Sequence, residues 1–551
     1  MHNIIIIIKR RERMAKIITV KEAADLFVDG DVLIGATFGM TGWPEEIGKA
    51  IEARFLETGH PRDMVQYHAA GCIPAGCFGH EGMLKMTISS HESTTPAIAK
   101  LIQEDKLAGW YMPLGTMIQM WREQGRGMDG CLSKVGLGTF MDERIDAGCL
   151  NPSAKKITAE LTKQGKQFIK YIPDFDGQEY VYYKGGKYTK CLIQASYADE
   201  NGSITAEGEA YNLELATVAR ATKASGGIVI VLVDSIVKAG SLDPKLVKVG
   251  RHLIDYIVVC EDPVNRIRGG LWPHGVKKFN YWEGLSGRIK VAIGNTMAPM
   301  PFDPTKVVVR RAVMEAQAGW KCNFGIGVPT FCGNVMAEEG VMDDVLMISE
   351  SGSVGGVPGG GADFGCHWNC EVSVDQGDHF DWFDGTGLDF GVFGLSEAQE
   401  DGSINTSFLN GVTLGVGGFA NITAGANVGC FIGTFTAKGL KQKIENGKLV
   451  IEQEGTLKKF VKKSLQLTFD ANLALSRGKK LLYITERCVF EKVKEGLKLI
   501  EIAPGVDIQK HILDQMEFKP IIPEGGPKMM PAEIFQEKWG GLKAYWASKA
   551  K

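Results

Sequence analysis

Apolar runs without alternation recur along the chain, at 227–233, 256–259, 345–348, 428–435 and 481–485. Side chains in such runs point to both sides of a strand. They therefore predict strands buried on both faces, the habit of parallel sheets covered by helices. Shorter strand candidates lie at 32–34, 64–68 and 190–197. Helical spacing appears at 19–27, where Val20, Ala23, Ala24 and Phe27 share one face, at 45–55 behind Pro44, at 117–123, and at 306–319. A further helix ends at Met336. The segment 71–79 reads as an irregular loop, and 438–459 as a solvated hairpin about Asn446-Gly447. The pattern is that of an α/β protein, with 481–485 as its last core strand and a basic amphipathic surface segment at the C-terminus.

In open α/β sheets ligands bind outside the carboxyl ends of strands, so the residues just after each apolar run matter. The run 345–348 stops at Ser349-Glu350-Ser351-Gly352 and continues into Gly355-Gly356-Val357-Pro358. A carboxylate placed there can serve as base, metal ligand, nucleophile or structural ion-pair partner. Glycines beside it let backbone N–H groups approach a bound ligand. The strand at 32–34 opens into Gly35-Ala36-Thr37-Phe38-Gly39-Met40-Thr41-Gly42-Trp43-Pro44 and then a helix start, a favourable place for an anion or a carbonyl oxygen. Gly417-Gly418 can aim backbone N–H groups at an oxyanion, or can be a close-packed turn at a helix start.

Two motifs recur in the same order. A glycine-rich turn before a helix appears at 39–44 and at 325–329. The segment Ala198-Asp199-Glu200-Asn201-Gly202-Ser203-Ile204 is echoed by Ala398-Gln399-Glu400-Asp401-Gly402-Ser403-Ile404. This predicts two domains of one fold, 14–297 and 305–551, joined by the proline-rich linker 298–304. Only the second half carries the Ser-Glu-Ser-Gly run.

The length of 551 residues fits two sizeable cores. A net charge of −3 gives no basic excess for nucleic acid. Twelve scattered cysteines suit a reducing compartment, and Cys72 and Cys77 read as small apolar packing groups. The apolar run 4–8 precedes its basic residues, the reverse of a signal peptide, so export is not expected. Residues 1–13 read as a disordered or over-called extension, with Met14 as the natural start. No uncharged apolar stretch is long enough to span a membrane, and the expected location is cytoplasmic.

Metal readings gain little. Cys366-His367-Trp368-Asn369-Cys370 lacks a second cysteine pair at zinc-ribbon spacing. Asp375, Asp378, His379, Asp381 and Asp384 do not follow a calcium-loop spacing and read as a solvated or loop-ordering patch. Neither a phosphate-binding Gly-Lys-Ser/Thr loop nor a nucleophilic-serine elbow is present.

Taken together, Phe38-Gly39-Met40-Thr41-Gly42-Trp43-Pro44, Asn323-Phe324-Gly325-Ile326-Gly327-Val328-Pro329, Ser349-Glu350-Ser351-Gly352 with Gly355-Gly356-Val357-Pro358, Gly417-Gly418-Phe419, Ile484-Thr485-Glu486-Arg487 and Ala503-Pro504-Gly505-Val506-Asp507 resemble the family I coenzyme A-transferases in their fused two-domain form. The resemblance runs from about Met14 to Pro520. Where the family often has Ser-Glu-Asn-Gly, this chain has Ser351 after Glu350. The resemblance implies two tandem three-layer α/β/α domains with the active site in the cleft between them, and a homo-oligomer, dimer or tetramer. It implies ping-pong transfer of coenzyme A between a short-chain acyl-CoA and a carboxylate such as acetate, through an acyl-glutamyl anhydride and a glutamyl-CoA thioester on Glu350. Gly417 or Gly418 would supply an oxyanion N–H, and Gly325, Ile326, Gly327, Val328 and Pro329 would line the CoA site. Gly39, Thr41, Gly42 and Gln119 would face the acyl or carboxylate side. No metal or permanently bound cofactor is needed, because thioester energy is conserved in each anhydride; coenzyme A thioesters enter as substrates. An acyl-CoA hydrolase using the same glutamate, and a non-catalytic regulatory protein of this fold, stay open.

Overall fold

The computed structural model describes residues 15–39, 41–263, 266, 283–292, 299–360, 363–409 and 411–549. The expected extension 1–13, Met14, and Ala298 at the head of the linker lie outside the described residues.

Each half is built on one eight-stranded sheet. In the first, the spatial order is Lys16–Ile18, Tyr256–Val259, Ile228–Val233, Lys190–Gln194, Val32–Gly35, Met64–His68, Leu84–Ser89 and Ala108–Tyr111. Every neighbouring pair is parallel. Successive residues feed opposite faces, as parallel burial requires. Leu33, Leu192, Ile230, Leu232 and Val258 pack with Trp43, Ile47 and Ile51 in one cluster. Ile34, Cys191, Ile193, Val229, Val231 and Ile257 join the opposite layer, whose core runs on into the second half. The result is three layers, helix, sheet and helix.

The second sheet repeats the topology. Its strands run Leu346–Met347, Lys321–Phe324, Leu388–Gly394, Ala426–Ile432 and Lys480–Ile484, all parallel. In chain order these match Met64–His68, Val32–Gly35, Lys190–Gln194, Ile228–Val233 and Tyr256–Val259, whose spatial order is the same. The echoed segments form equivalent hairpins. Asp199 N–H bonds to Ser203 O at 2.9 Å, and Gln399 N–H to Ser403 O at 3.0 Å.

Several boundaries differ from the sequence reading. The strand expected at 345–348 is only Leu346–Met347, because it sits at the sheet edge with one neighbour and turns back after Ile348. The strand at 190–197 breaks after Gln194 and resumes at Tyr197–Asp199 in a separate small sheet. The loop 71–79 holds a 3₁₀ helix, Ile73–Phe78, with Pro74 in its first turn. The helix expected at 306–319 is Pro304–Val313, capped by the Asp303 carboxylate, so the proline-rich stretch begins a helix as much as it links halves. Lys480–Ile484 is not the last core strand. Cys488–Val493 and Gly496–Ile502 add to it antiparallel, and Lys528–Met529 closes the sheet. The C-terminal segment is not a free surface element either. In helix Leu542–Lys549, Trp546 is buried and donates its indole N–H to Val313 O at 3.0 Å.

The halves meet along helices Leu114–Gly125 and Gln376–Gly385. Arg122 reaches Asp378 at 2.8 Å and also pairs with Asp381. Gln119 Nε2 donates to Asp384 at 2.9 Å. The acidic run, though Asp378 and Asp381 stay exposed to solvent, also bonds to the other half. Gly115 lies against the Phe380 ring so closely that any Cβ would overlap it. Replacing Gly115 by leucine is therefore expected to separate the helices and lower stability by about 1–3 kcal/mol, the cost of overpacking a filled contact. Thermal unfolding followed by circular dichroism checks this; an unchanged midpoint would refute the contact.

Candidate functional site

Glu350 sits at the tip of a tight hairpin at the carboxyl end of the edge strand. Ser349 N–H bonds to Ser353 O at 2.9 Å, Gly352 N–H to Ser349 O at 3.2 Å, and Ile348 bridges to Val354. Gly352 makes the return possible. Its φ is +108°, and a Cβ there would strike Val374 O. Glu350 is thus the first corner residue of a four-residue turn, so its side chain points away from the strand ladder.

The turn is gripped from outside by side chains acting on its carbonyls. Asn323 Nδ2 donates to Ile348 O at 2.8 Å. His379 Nδ1 meets Ser349 O at 2.7 Å, and His367 Nδ1 meets Gly355 O at 2.7 Å. Carbonyl oxygens only accept, so both imidazoles carry their proton on Nδ1. Burial lowers the pKa of both rings, that of His367 to about 4, so both are neutral at pH 7. Ser351 Oγ donates to Gly365 O, closing the far side.

The carboxylate itself has no hydrogen-bond partner among the described residues. What stands against it is Gly418. A Cβ at that position would fall on Glu350 Oε2, so only glycine permits this approach. The two glycines differ in what their amides do. Gly417 N–H is engaged by Ser90 O at 3.1 Å, next to Val416 N–H on the same oxygen at 2.7 Å. Gly418 N–H has no backbone acceptor among the described residues. It lies at the N-cap of helix Phe419–Gly425, the positive end of a helix dipole.

The loop 325–329 leaves the carboxyl end of strand Lys321–Phe324, the one neighbour of the Glu350 strand. It forms one wall of an open cleft of about 520 Å³ and is faced by Phe331, Pro358 and Gly359. Of the expected cleft residues, Ile326 and Gly327 line it, and Ile326 is 64% exposed. Pro329 is buried behind it, and Gly325 N–H is tied to Val392 O at 2.9 Å. An apolar side chain left in water at a cleft mouth suits a ligand with an apolar part.

The loop 36–44 reaches the same region indirectly. Phe38 and Thr41 exchange both backbone hydrogen bonds, 3.0 and 2.9 Å, closing a turn over Gly39. Phe38 stacks on Phe364 at 6.1 Å between ring centroids, and Gly365 abuts its ring. Segment 364–365 therefore links this loop to the Glu350 turn through Ser351. Thr41 is buried and accepts from Gln194 Nε2 at 3.1 Å, and Gly42 is wedged against Ala36 O and Leu213. Gln119 lies in the contact between halves, its amide engaged by Asp384.

Sequence reasoning did not single out Asn421, Ser90 or Asn323. Asn421 is fully buried; its Oδ1 accepts from Gly115 N–H at 3.0 Å and its Nδ2 donates to both Asp384 oxygens at 3.0 Å. His367 and His379 stood out only as possible metal ligands. Cys366, from the same run, is a buried thiol donating to the Tyr211 hydroxyl at 3.3 Å. These contacts lie between residues from about 12 to 306 positions apart, a separation that no local pattern encodes.

The family model for coenzyme A transferase matches residues 17–260. The chain is 38% identical to caffeate CoA-transferase of Acetobacterium woodii, over 96% of this chain and 99% of that protein. It is 37% identical to acetate CoA-transferase YdiF of Escherichia coli K12, over 83% and 82%. The crystal structure of the acyl-CoA transferase YdiF apoenzyme from E. coli O157:H7 superposes with a TM-score of 0.87 at 31% identity, covering 96% of this chain and 98% of that one. Its thioester complex with CoA gives 0.86. No helix among the described residues is long and apolar enough to cross a membrane.

Burial pushes the Glu350 carboxyl up to about 7. The folded protein therefore holds a proton that the unfolded chain, with a normal carboxyl near 4.5, has lost between those pH values. Stability falls as pH rises from about 4.5 to 7. Glu350→Gln removes the charge and keeps the shape. It is expected to raise the free energy of unfolding at pH 8, by at most about 3 kcal/mol, and to leave it unchanged at pH 4. Equal effects at both pH values would contradict a desolvated carboxylate.

Proposed function

The chain belongs to the coenzyme A transferase family, and from that premise we propose that Glu350 is the nucleophile through which coenzyme A passes from an acyl thioester to a free carboxylate. The protein is a CoA-transferase; the assignment of steps to residues is our reading. Its main support is the unpartnered Glu350 carboxylate set against Gly418, whose N–H has no backbone acceptor among the described residues.

The steps follow from the chemistry of the groups. Glu350 attacks the thioester carbonyl carbon; a C–O bond forms, the C–S bond breaks, and CoA leaves as thiolate. The thiolate then attacks the Glu350 acyl carbon of the mixed anhydride, releasing the first acid as its carboxylate and leaving a glutamyl-CoA thioester. An acceptor carboxylate attacks that thioester, and the two steps run in reverse. Carboxylates are weak nucleophiles in water, and desolvation with fixed proximity strengthens them. Each addition passes through an oxyanion, for which Gly418 N–H and the adjoining helix terminus are the donors. Gly417, its N–H engaged by Ser90, supports the turn instead. Ile326, Gly327 and Phe331 would hold CoA in the cleft, and the loop with Gly39, Thr41 and Gly42 would bound the acyl side. Gln119 would act there through the contact between halves rather than on the acid. The relatives named for acetate and caffeate suggest carboxylic acids of different bulk. We favour a short-chain acyl-CoA with acetate as one partner, and a homo-oligomer as the working form.

Glu350→Gln is expected to abolish transfer while leaving the fold intact, since an amide cannot form the anhydride. Full activity would remove Glu350 from the reaction. Gly418→Ala keeps the N–H but puts a Cβ where Glu350 Oε2 lies, so it should displace the carboxylate and lower kcat by about 10²-fold, the effect of misplacing a reacting group. In the wild type kcat/KM should decline below an apparent pKa near 7, because only the ionised Glu350 attacks. Initial rates with acetyl-CoA and a panel of acids, including acetate, propionate, butyrate and an aryl-propenoate, would also rank the acceptors. CoA release without any acid would indicate hydrolysis.

A further inference from the structure

Nucleophile and oxyanion donor lie on different elements, yet one helix touches the supports of both. Helix Gln376–Gly385 sends His379 to Ser349 O, the residue before Glu350. Five residues on, its Asp384 accepts from Asn421 Nδ2 at 3.0 Å, and Asn421 lies in the helix that Gly418 caps. Asn421 Oδ1 in turn holds Gly115 N–H, while Leu114 N–H reaches Gly417 O at 3.2 Å. Arg122 and Gln119 fasten the same helix to the first half.

We propose that His379 and Asn421 are positioning residues that set the separation of the Glu350 carboxylate from Gly418 N–H, and that helix Gln376–Gly385 transmits the seating of the two halves to that separation. The proposal rests on Glu350 being the nucleophile. Neither residue need touch the substrate. His379 is buried and fixes the carbonyl at one end of the turn, so rotation of that peptide would swing Glu350. Asn421 is fully buried and bonded at both ends of its amide, so its loss would free the terminus of helix Phe419–Gly425. A site assembled from two halves needs such a link. Otherwise small shifts between the halves would change the geometry on which the rate depends.

The test compares His379→Leu, His379→Asn and Asn421→Leu with Glu350→Gln under steady-state conditions. His379→Leu and Asn421→Leu should each lower kcat by about 10- to 100-fold, with KM for acyl-CoA within about threefold because the cleft is untouched. His379→Asn, whose amide presents a donor near the position of Nδ1, should restore most of the loss. A purely structural role would lower the amount of folded enzyme without this division and without the rescue. If His379→Leu does not fold, Asp384→Asn at the outer end of the network decides. A kcat at least about threefold below wild type upholds the link, and an unchanged kcat overturns it. An inactive Glu350→Gln together with wild-type kcat in the His379 and Asn421 variants would overturn the positioning role alone. An active Glu350→Gln would instead remove the nucleophile reading on which it rests.

Discussion

The Glu350 carboxylate is half-buried and has no hydrogen bond among the described residues. Such a group is costly, and proteins keep one only where surrounding structure leaves no alternative. Here the Glu350 turn is fixed by donors to Ile348 O, Ser349 O and Gly355 O, while Gly418 closes over the oxygen. The supporting hydrogen bonds all go to backbone, which leaves the carboxylate lone pairs unengaged by those donors. Burial then does two things at once. It raises the proton affinity of Glu350, and it strips the hydration that makes ordinary carboxylates sluggish.

The repeated fold explains why only one half carries this group. Both sheets offer the same strand order and therefore equivalent strand ends. In the first half the strand equivalent to Leu346–Met347 ends at His68, which meets the fully buried Glu92 at 2.9 Å. Glu92 also accepts from Thr87 and Ser89 at 3.0 and 2.9 Å, so this carboxylate is saturated with partners. Burial raises its pKa, but the electrostatic attraction of His68, with hydrogen bonds from His68, Thr95 and Ser89, outweighs this and lowers it, the reverse of Glu350. The same network neighbours Ser90, whose carbonyl holds the glycine turn. One half thus carries the unpaired carboxylate, and the other a hydrogen-bonded network beside it.

Much of this was legible in the chain itself. The apolar runs located most parallel strands, the echoed segments ending in Gly-Ser-Ile at 202–204 and 402–404 marked the repeat, and the Ser-Glu-Ser-Gly run isolated Glu350. What stayed hidden has a common cause. The antiparallel strands after Ile484 alternate less cleanly because charged side chains such as Lys492 are buried among them. Which of Gly417 and Gly418 has its amide engaged depends on Ser90, more than 300 positions away in sequence. The partners of the acidic run 375–384, Arg122 and Gln119, lie in the other half and so could not be read from the run itself. Composition reports residue type, whereas these roles arise from contacts that exist only after the two halves meet.

A covalent bond to Glu350 is the central step of the proposed route, and mass spectrometry addresses it most directly. Wild-type protein mixed with acetyl-CoA in the absence of an acceptor acid should accumulate a glutamyl-CoA thioester. Borohydride reduction followed by peptide mapping should place the reduced side chain on the peptide carrying Glu350 and on that residue. A modification at any other residue, or none under conditions where the enzyme turns over, would contradict Glu350 as the nucleophile.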